Sequence, residues 1–307
     1  MGDASIPVDL FNPGQVFACL GFLEAADVLL GDAKGGFDWS DEANVRFRMC
    51  AKEDENPFSV VLSFLASAKV ISLAPPTSRN STEKWAVPTE VLSADGAFPF
   101  PDPSSPATLP AVLEGTRSAA DATAIRLAID HWGDTTSRDT VKFWGGAAGY
   151  PGAALARDAI HLVRNCCNSA SDPFNLSAEQ SSSFRLDWRR DYIPIDAGFS
   201  LNSHSGRIVA VGFPLVEILA AIGLSNARPK RIHVLEYKYG VIGSDVRTVG
   251  RRNESILFEP VLVRVALGGS DFPFVRRGYR IFRMRLGWPA KEGQARAITA
   301  VTEETNS

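Results

Sequence analysis

The longest apolar stretch of the chain, residues 8–31, constrains the fold more than any other feature. It reads VDLFNPGQVFACLGFLEAADVLLG. Asn12 is a favourable N-cap residue, Pro13 suits the first helical position, and Gln15 stands three residues after the cap, as in a capping box. Gly31 is typical of the position that follows a helix. The stretch therefore predicts one long helix that begins at Pro13 and ends just before Gly31.

The same stretch is not expected to cross a membrane or to direct secretion. Glu24 and Asp27 interrupt it, and either carboxylate would be costly in hydrocarbon. The opening residues MGDASIP carry no basic segment of the kind that begins a secretory signal. We expect a cytoplasmic protein with no membrane partner.

The first part of the chain predicts six elements in the order βαββαβ, which is the order of a ferredoxin-like unit. A second helix is predicted to begin after Asn56 and Pro57. Strand character comes from alternation, as where Phe47 and Met49 are separated by arginines. The strands are predicted at 8–10, 35–40, 44–51 and 69–74.

The whole chain is predicted to be α+β, with a second, basic sheet-containing unit after the ferredoxin-like one. The predicted divisions are 1–75 for the ferredoxin-like unit, 76–120 for a Pro/Ser-rich loop or connector, 121–183 for a helical and Gly-rich connecting region, 184–296 for the basic α+β unit, and 297–307 for a flexible tail. Outside the first unit, helices are predicted at 121–132, after Pro151 and at 213–224, strands at 184–196, 231–242 and 278–288, and either a strand or a helix at 259–267.

The formal net charge of −3 conceals an uneven distribution of charge along the chain. Residues 1–183 carry 13 Lys and Arg against 23 Asp and Glu, whereas residues 184–296 carry 19 against 10. A basic half of this kind favours a nucleic-acid partner. The alternative interpretation is that the two oppositely charged halves match each other within the chain.

The candidate nucleic-acid-binding residues of the basic half are arginines that occur in pairs or alternate along a strand. They are Arg189, Arg190, Arg251, Arg252, Arg276, Arg277, Arg283 and Arg285. Forked guanidinium donors suit phosphate oxygens, and the aromatic residues interleaved with these arginines suit stacking on bases. Solvated strand faces and core aromatic side chains are the alternative interpretation of the same pattern.

A second candidate phosphate site is the Gly-rich loop before the helix predicted after Pro151. Lys142, Gly145 and Gly146 lie in this loop, where backbone N–H groups and a helix N-terminus can face an anion. A tight structural turn explains the loop equally well, because it matches neither a P-loop nor a dinucleotide-binding fingerprint.

No constellation in the sequence predicts catalysis or a bound metal. The chain has no G-x-S-x-G or H-E-x-x-H motif, and its four cysteines and four histidines lack zinc-ligand spacing. Asp130, His131 and Asp134 are close in sequence, but a structural histidine explains them better than an acid/base site does. We expect no catalytic residue, no metal ligand and no cofactor.

Four segments together resemble a known family, the CRISPR-associated proteins of the type I-G system, formerly called I-U. They are VDLFNPGQVFACLGFLEAADVL (8–29), KFWGGAAGYPGAALARDAI (142–160), FRLDWRRDYIPIDAGFSLN (184–202) and FPLVEILAAIGL (213–224). The chain looks most like the large-subunit-like component of that effector complex, although it is short for such a subunit.

The resemblance implies a non-catalytic subunit of a crRNA-guided surveillance complex. Its partners would be crRNA, target double-stranded DNA, other subunits of the complex and a helicase-nuclease. Such a subunit would contact the DNA motif that flanks the target, assist duplex opening and help recruit the nuclease. Two alternatives remain open: a ferredoxin-like crRNA-binding or repeat-RNA-processing subunit of the same system, and a protein scaffold without nucleic-acid contact.

Overall fold

The computed structural model confirms the α+β class. It describes residues 4–52, 55–93, 103, 105–118, 120–121, 123–133, 150–164, 172–180, 182–191, 210–244, 257–268, 278–287 and 297–304. The helices within these ranges are α1 (Pro13–Leu30), α2 (Pro57–Ser67), α3 (Gly152–Arg164), α4 (Pro214–Asn226) and α5 (Pro260–Leu267). The strands are β1 (Ala4–Pro7), β2 (Lys34–Asp38), β3 (Arg46–Cys50), β4 (Lys69–Ala74), β5 (Thr89–Val91), β6 (Ala111–Gly115), β7 (Ile125–Ile129), β8 (Ala178–Glu179), β9 (Val211–Gly212), β10 (Lys230–His233), β11 (Glu236–Ser244), β12 (Tyr279–Gly287) and β13 (Ala297–Glu304).

The largest sheet joins strands from the acidic and the basic halves of the chain. Its order is β1-β3-β2-β11-β12-β13, with β10 also paired to β11. The two halves meet where β11 runs parallel to β2, with Gly243 beside Phe37. A second sheet has the order β5-β4-β6-β7, and β8 and β9 form a short pair. The two predicted sheet units therefore share one sheet.

The first six elements have the predicted order βαββαβ, but their strands are divided between two sheets. β1 lies at 4–7 and not at 8–10, and it pairs with β3. β4 lies in the second sheet, antiparallel to β6. Val70, Ser72 and Ala74 of β4 are buried on one face, and β6 presents buried residues beside them. Because β6 falls in the segment predicted to be a loop, the sequence does not predict its pairing with β4.

The helices α1 and α4 form the centre of the molecule. Both are apolar around their whole circumference, which is typical of a helix buried on all sides. By length and mean hydropathy α1 could cross a membrane, but 89% of it is buried within the protein. One continuous apolar core extends from α1 and α4 to both larger sheets. α1 is therefore a core helix of this fold.

The predicted start and end of α1 are confirmed. Asn12 is the N-cap and accepts a hydrogen bond from Gly14 N, Pro13 occupies the first turn, and Gly31 follows the last residue. Gln15 does not close a capping box with Asn12. Its Oε1 accepts from Asp9 N at 2.7 Å, so it fixes the chain that leads into the helix.

Two other predictions of local structure were wrong. The segment predicted as a helix at 121–132 contains strand β7, in which Leu127 and Ile129 face the core while Arg126 and Ala128 face solvent. The tail contains strand β13 at 297–304, which pairs antiparallel with β12. β7 pairs with β6 and β13 pairs with β12. These pairings decide that the two segments are strands, and a local sequence pattern does not show them.

The remaining elements agree with the predictions in part. The helices predicted after Pro151 and at 213–224 are α3 and α4, and the undecided segment 259–267 contains α5. The single strand predicted at 231–242 is a hairpin of β10 and β11. Of the strand predicted at 184–196, the described part contains a 3-10 turn at Trp188–Asp191.

Candidate nucleic-acid interface

One face of the strands β10 to β13 carries a row of charged side chains, which we call the outer face. In an antiparallel pair, residues opposite each other share a face. Lys230 lies opposite Lys238, Lys238 opposite Arg283, and Glu236 opposite Arg285. Glu304 of β13 reaches the same group. Among the described residues, the outer face therefore holds four cations and two carboxylates.

Arg283 is the centre of an ion-pair network on the outer face. Its guanidinium donates to Glu304 Oε1 at 2.6 and 2.9 Å and to Glu236 Oε1 at 2.7 Å. Lys238 Nζ lies 2.7 Å from the other oxygen of Glu304. Hydrogen bonds from Lys238 and Arg283 lower the pKa of Glu304, and those to Glu304 and Glu236 raise the pKa of Arg283. Arg283 is thus largely engaged within the sheet.

Two other cations of the outer face are directed to solvent. Arg285 is exposed on β12, and Lys230 is exposed on β10. Phosphate oxygens can approach side chains of this kind without breaking an existing ion pair. Of the predicted nucleic-acid-binding residues whose side chains are described, Arg285 is the one best placed for such contact.

The opposite face of the same strands belongs to the core. Tyr237, Tyr239 and Phe282 are buried, and the rings of Tyr239 and Phe282 stack with centroids 5.3 Å apart. The hydroxyl of Tyr239 donates to Leu10 O at 2.8 Å. Aromatic residues interleaved with cations favour stacking on bases, but the burial of these two tyrosines excludes that role in this conformation.

Arg189 binds to its own chain. Its guanidinium contacts both carboxylate oxygens of Asp187 and donates to Asn175 Oδ1 at 2.8 Å and to Phe174 O at 2.7 Å. It also lies 3.5 Å from the centroid of the Phe213 ring. Asp187 is fully buried, and 27% of the Arg189 side chain is exposed. Arg189 therefore neutralises a buried carboxylate and packs on an aromatic ring.

A buried polar cluster brings together three of the four segments that carry the family resemblance. Asn12 Nδ2 donates to Asp187 Oδ1 at 3.1 Å. The carboxylate of Glu217, on α4, accepts from the backbone N–H groups of Leu186 and Asp187. All three polar side chains are buried. The segments around residues 12, 187 and 217 thus form one structural unit at the N-termini of α1 and α4.

The other predicted nucleic-acid-binding residues do not add a described side chain to the outer face. The backbone of Arg190 lies in the 3-10 turn at 188–191. Outside the described residues lie Lys142, Gly145, Gly146, Arg251, Arg252, Arg276 and Arg277.

Of the three residues Asp130, His131 and Asp134, the structure describes the first two. His131 is buried beside the stacked rings of Trp132 and Phe184, at centroid distances of 5.0 and 5.3 Å. Burial raises the pKa of Asp130. No group of three or more His, Cys, Asp or Glu side chains that could hold a metal ion occurs in the part of the chain that the structure describes.

Sequence reasoning did not select Lys238 for the interface. The alternation of Lys238 with Tyr237 and Tyr239 is visible in the sequence, but only the strand pairing places Lys238 between Lys230 and Arg283. Comparison of the chain with protein-family models, with curated proteins and with solved structures finds no match.

Proposed function

We propose that the chain is a cytoplasmic, non-catalytic subunit of a type I-G crRNA-guided complex and that it contacts nucleic acid through the outer face. The observation that carries this proposal is the exposure of Lys230 and Arg285 on a sheet face with four described cations and two carboxylates. The four segments of the family resemblance support the choice of complex.

Contacts of this kind would position a nucleic-acid backbone without reading its sequence. Arg285 offers a forked donor set and Lys230 a compact charge, and both suit phosphate oxygens. In the proposed role, such contacts hold target DNA next to its flanking motif, assist opening of the duplex and leave guide pairing to read the sequence. The helicase-nuclease would then be recruited to the assembled complex.

A scaffold without nucleic-acid contact is the second candidate, and a specific observation favours it. Arg189, Arg280 and Arg283 all form ion pairs within the chain. A basic half whose cations are paired internally has less charge to offer a polyanion. The two candidates therefore differ in what Lys230 and Arg285 do.

A double charge reversal, Lys230→Glu with Arg285→Glu, separates the two candidates. The chain is co-produced with crRNA and its partner proteins, the complex is purified, and its affinity for target DNA is measured by gel shift over a range of salt concentrations. We expect weaker binding and a salt slope that is smaller by about 1 for each phosphate group that the variant no longer neutralises. A control complex carries Lys52→Glu and Lys84→Glu, which reverse two exposed charges elsewhere.

The gel shifts of the double-variant complex and the control complex can also contradict the proposal. If the double variant assembles and retards DNA as the control does, the outer face does not contact target DNA and the scaffold gains support. Loss of retardation on changing the flanking motif of the target would support a role beside that motif.

The alternative of a crRNA-binding or repeat-RNA-processing subunit rests on the element order βαββαβ, which is that of a ferredoxin-like unit although its strands are divided between two sheets. This alternative has its own test. The purified chain is incubated with repeat RNA in the absence of partners, and cleavage would replace the non-catalytic proposal with a processing role.

A further inference from the structure

A groove in the acidic half of the chain lies between α3 and the first residues of β4, and we call it the α3–β4 groove. Its volume is about 590 Å³. Sites for small molecules in proteins typically enclose roughly 300–1,000 Å³. The groove is therefore of the size that a single small organic molecule fills.

Positive charge predominates at the rim of this groove. His161 and Arg164 are three residues apart on α3 and so share a face of the helix. Arg164 donates from Nε to Ala66 O at 3.1 Å and from Nη2 to Ala68 O at 2.7 Å, which places its guanidinium next to Lys69. Lys69, His161 and Arg164 are all exposed. Two cations and a histidine thus line the same groove, within a half of the chain rich in acidic residues.

Asp158, the carboxylate among the described residues that line the groove, is already neutralised. It accepts a hydrogen bond from the Tyr150 hydroxyl at 2.7 Å and pairs with the guanidinium of Arg157. Arg157 also donates to Trp85 O. Because Arg157 and Asp158 offset each other, the charge that a ligand meets comes from Lys69 and Arg164, and His161 adds a polar ring. That charge selects an anion.

The floor of the groove is apolar and includes an open strand edge. Val70, Ile160 and Pro88 line it. β5 pairs with β4 only along Ser72–Ala74, and Ser72 N–H points to that side, where it donates to Pro88 O. Alternate residues of a strand direct their N–H and C=O groups the same way, so those of Val70 also face the groove. A flat ring placed there can meet apolar side chains and backbone polar groups together.

We propose that the α3–β4 groove binds a small phosphate monoester with a flat heteroaromatic ring, such as a mononucleotide. The ring would lie on Val70 and Ile160. The phosphate would meet Lys69, His161 and the Nη1 group of Arg164, which the two carbonyl contacts of that guanidinium leave available. This site is separate from the outer face and does not depend on the function proposed above.

The test uses the full chain alone and isothermal titration calorimetry. AMP is titrated first, then adenosine, which lacks the phosphate. We expect saturable binding of AMP and binding of adenosine about tenfold weaker, because adenosine makes no charge-assisted hydrogen bonds through a phosphate. A terminally phosphorylated oligonucleotide is titrated as well. Tighter binding of that strand than of AMP would identify a strand end as the source of the phosphate, and weaker binding a free mononucleotide.

The variants Lys69→Met and His161→Gln remove the proposed phosphate contacts at exposed positions. Each is expected to weaken AMP binding about fivefold to tenfold. Lys52→Met is the matched control, since Lys52 is exposed and does not line the groove, and it should bind AMP as the unaltered chain does. The double variant Lys230→Glu with Arg285→Glu should also bind AMP normally, so failure of either proposal leaves the other open to test.

Equal affinity for AMP and adenosine, or no saturable binding of AMP at millimolar concentration, would overturn the proposal. Unchanged AMP affinity in both groove variants would overturn it as well. Circular dichroism of each variant establishes that it is folded. The comparison of AMP with adenosine on the unaltered chain decides the question even if a variant does not fold.

Discussion

Gly21 of α1 and Gly223 of α4 bring the backbones of the two central helices into direct contact. A Cβ atom added to Gly223 would lie 3.0 Å from Gly21 N and 2.2 Å from Phe17 O. A Cβ atom added to Gly21 would lie 1.9 Å from Leu219 O. Backbone atoms cannot move aside as the end of a side chain can. These two glycines therefore set the distance between the helices.

Alanine at either glycine should destabilise the fold. We expect Gly21→Ala or Gly223→Ala to lower the free energy of unfolding by about 3 kcal/mol, at the upper end for overpacked cores, because the helices must separate. Urea denaturation measures the change. Gly268→Ala is the control, since its Cβ would have no neighbour closer than 3.5 Å. Unaltered stability in Gly21→Ala would contradict the close approach of α1 and α4.

Arg189→Lys should destabilise the protein although it keeps the charge. Lysine cannot stack its head group on Phe213 as a planar guanidinium does, nor reach Asp187, Asn175 and Phe174 O together. We expect the free energy of unfolding to fall by about 2 kcal/mol. The matched control, Arg285→Lys, should change stability little. If both variants are equally stable, Arg189 is available for the phosphate contact that its sequence predicts.

The ion pairs of Glu304 should make the stability of the sheet sensitive to acid. Lys238 and Arg283 lower the pKa of Glu304 in the folded chain. Because the pKa of Glu304 is lower in the folded chain than in the unfolded chain, its ion pairs stabilise the fold fully at pH values above the unfolded pKa. This stabilisation is lost as the pH falls through the folded pKa. We expect this loss between about pH 5 and pH 3.

The variant Glu304→Gln tests this effect. Its free energy of unfolding should be lower than that of the unaltered chain at neutral pH, and the difference should shrink on acidification. Urea titrations at several pH values provide the measurement. A difference that stays constant from neutral pH into this acid range would show that the ionised carboxylate contributes nothing.

The thiol of Cys19 should be unreactive in the folded protein. The side chain is fully buried in α1, and burial raises its pKa, so that little thiolate forms. In a variant with Cys166→Ser and Cys167→Ser, a water-soluble maleimide should label neither Cys19 nor the buried Cys50 until denaturant is added. Mass spectrometry after tryptic digestion identifies each labelled site. Rapid labelling of Cys19 without denaturant would mean that α1 separates readily from the core.

The helices that the sequence predicted correctly include those with the clearest local start signals. Asn12 with Pro13 and Asn56 with Pro57 mark the first turns of α1 and α2, and both asparagines cap backbone N–H groups. Such signals act between neighbouring residues, so they can be recognised without knowledge of the fold.

The strands that the sequence missed depend on distant partners. β13 has two glutamates that are typical of a flexible acidic tail, yet Glu303 pairs with Arg280 and Glu304 with Arg283 across the sheet. The register between β12 and β13 places these glutamates beside the arginines, and the sequence of a single segment does not reveal register. Only the pairing of β12 with β13 shows that these charges match within the chain.

The sequence predicts a strand face with alternating arginines, but it does not predict which of those arginines are free of ion pairs. Alternation along β12 indicated that Arg283 and Arg285 share a face, which the pairing supports. Their different surroundings could not be predicted, because Glu236 and Glu304 come from other strands. Arg189 had a visible signal, the Asp187 two residues before it, but burial of that carboxylate depends on α1 and α4.

The contact between α1 and α4 also has a consequence for the nascent chain. α1 is synthesised before α4, and more than half of the given sequence separates the two helices. Contacts between residues so far apart form slowly, since a long loop must close first. Until α4 emerges from the ribosome, α1 lacks its most extensive helix partner and is prone to aggregate. The protein should therefore depend on chaperones during synthesis more than its final burial of α1 suggests.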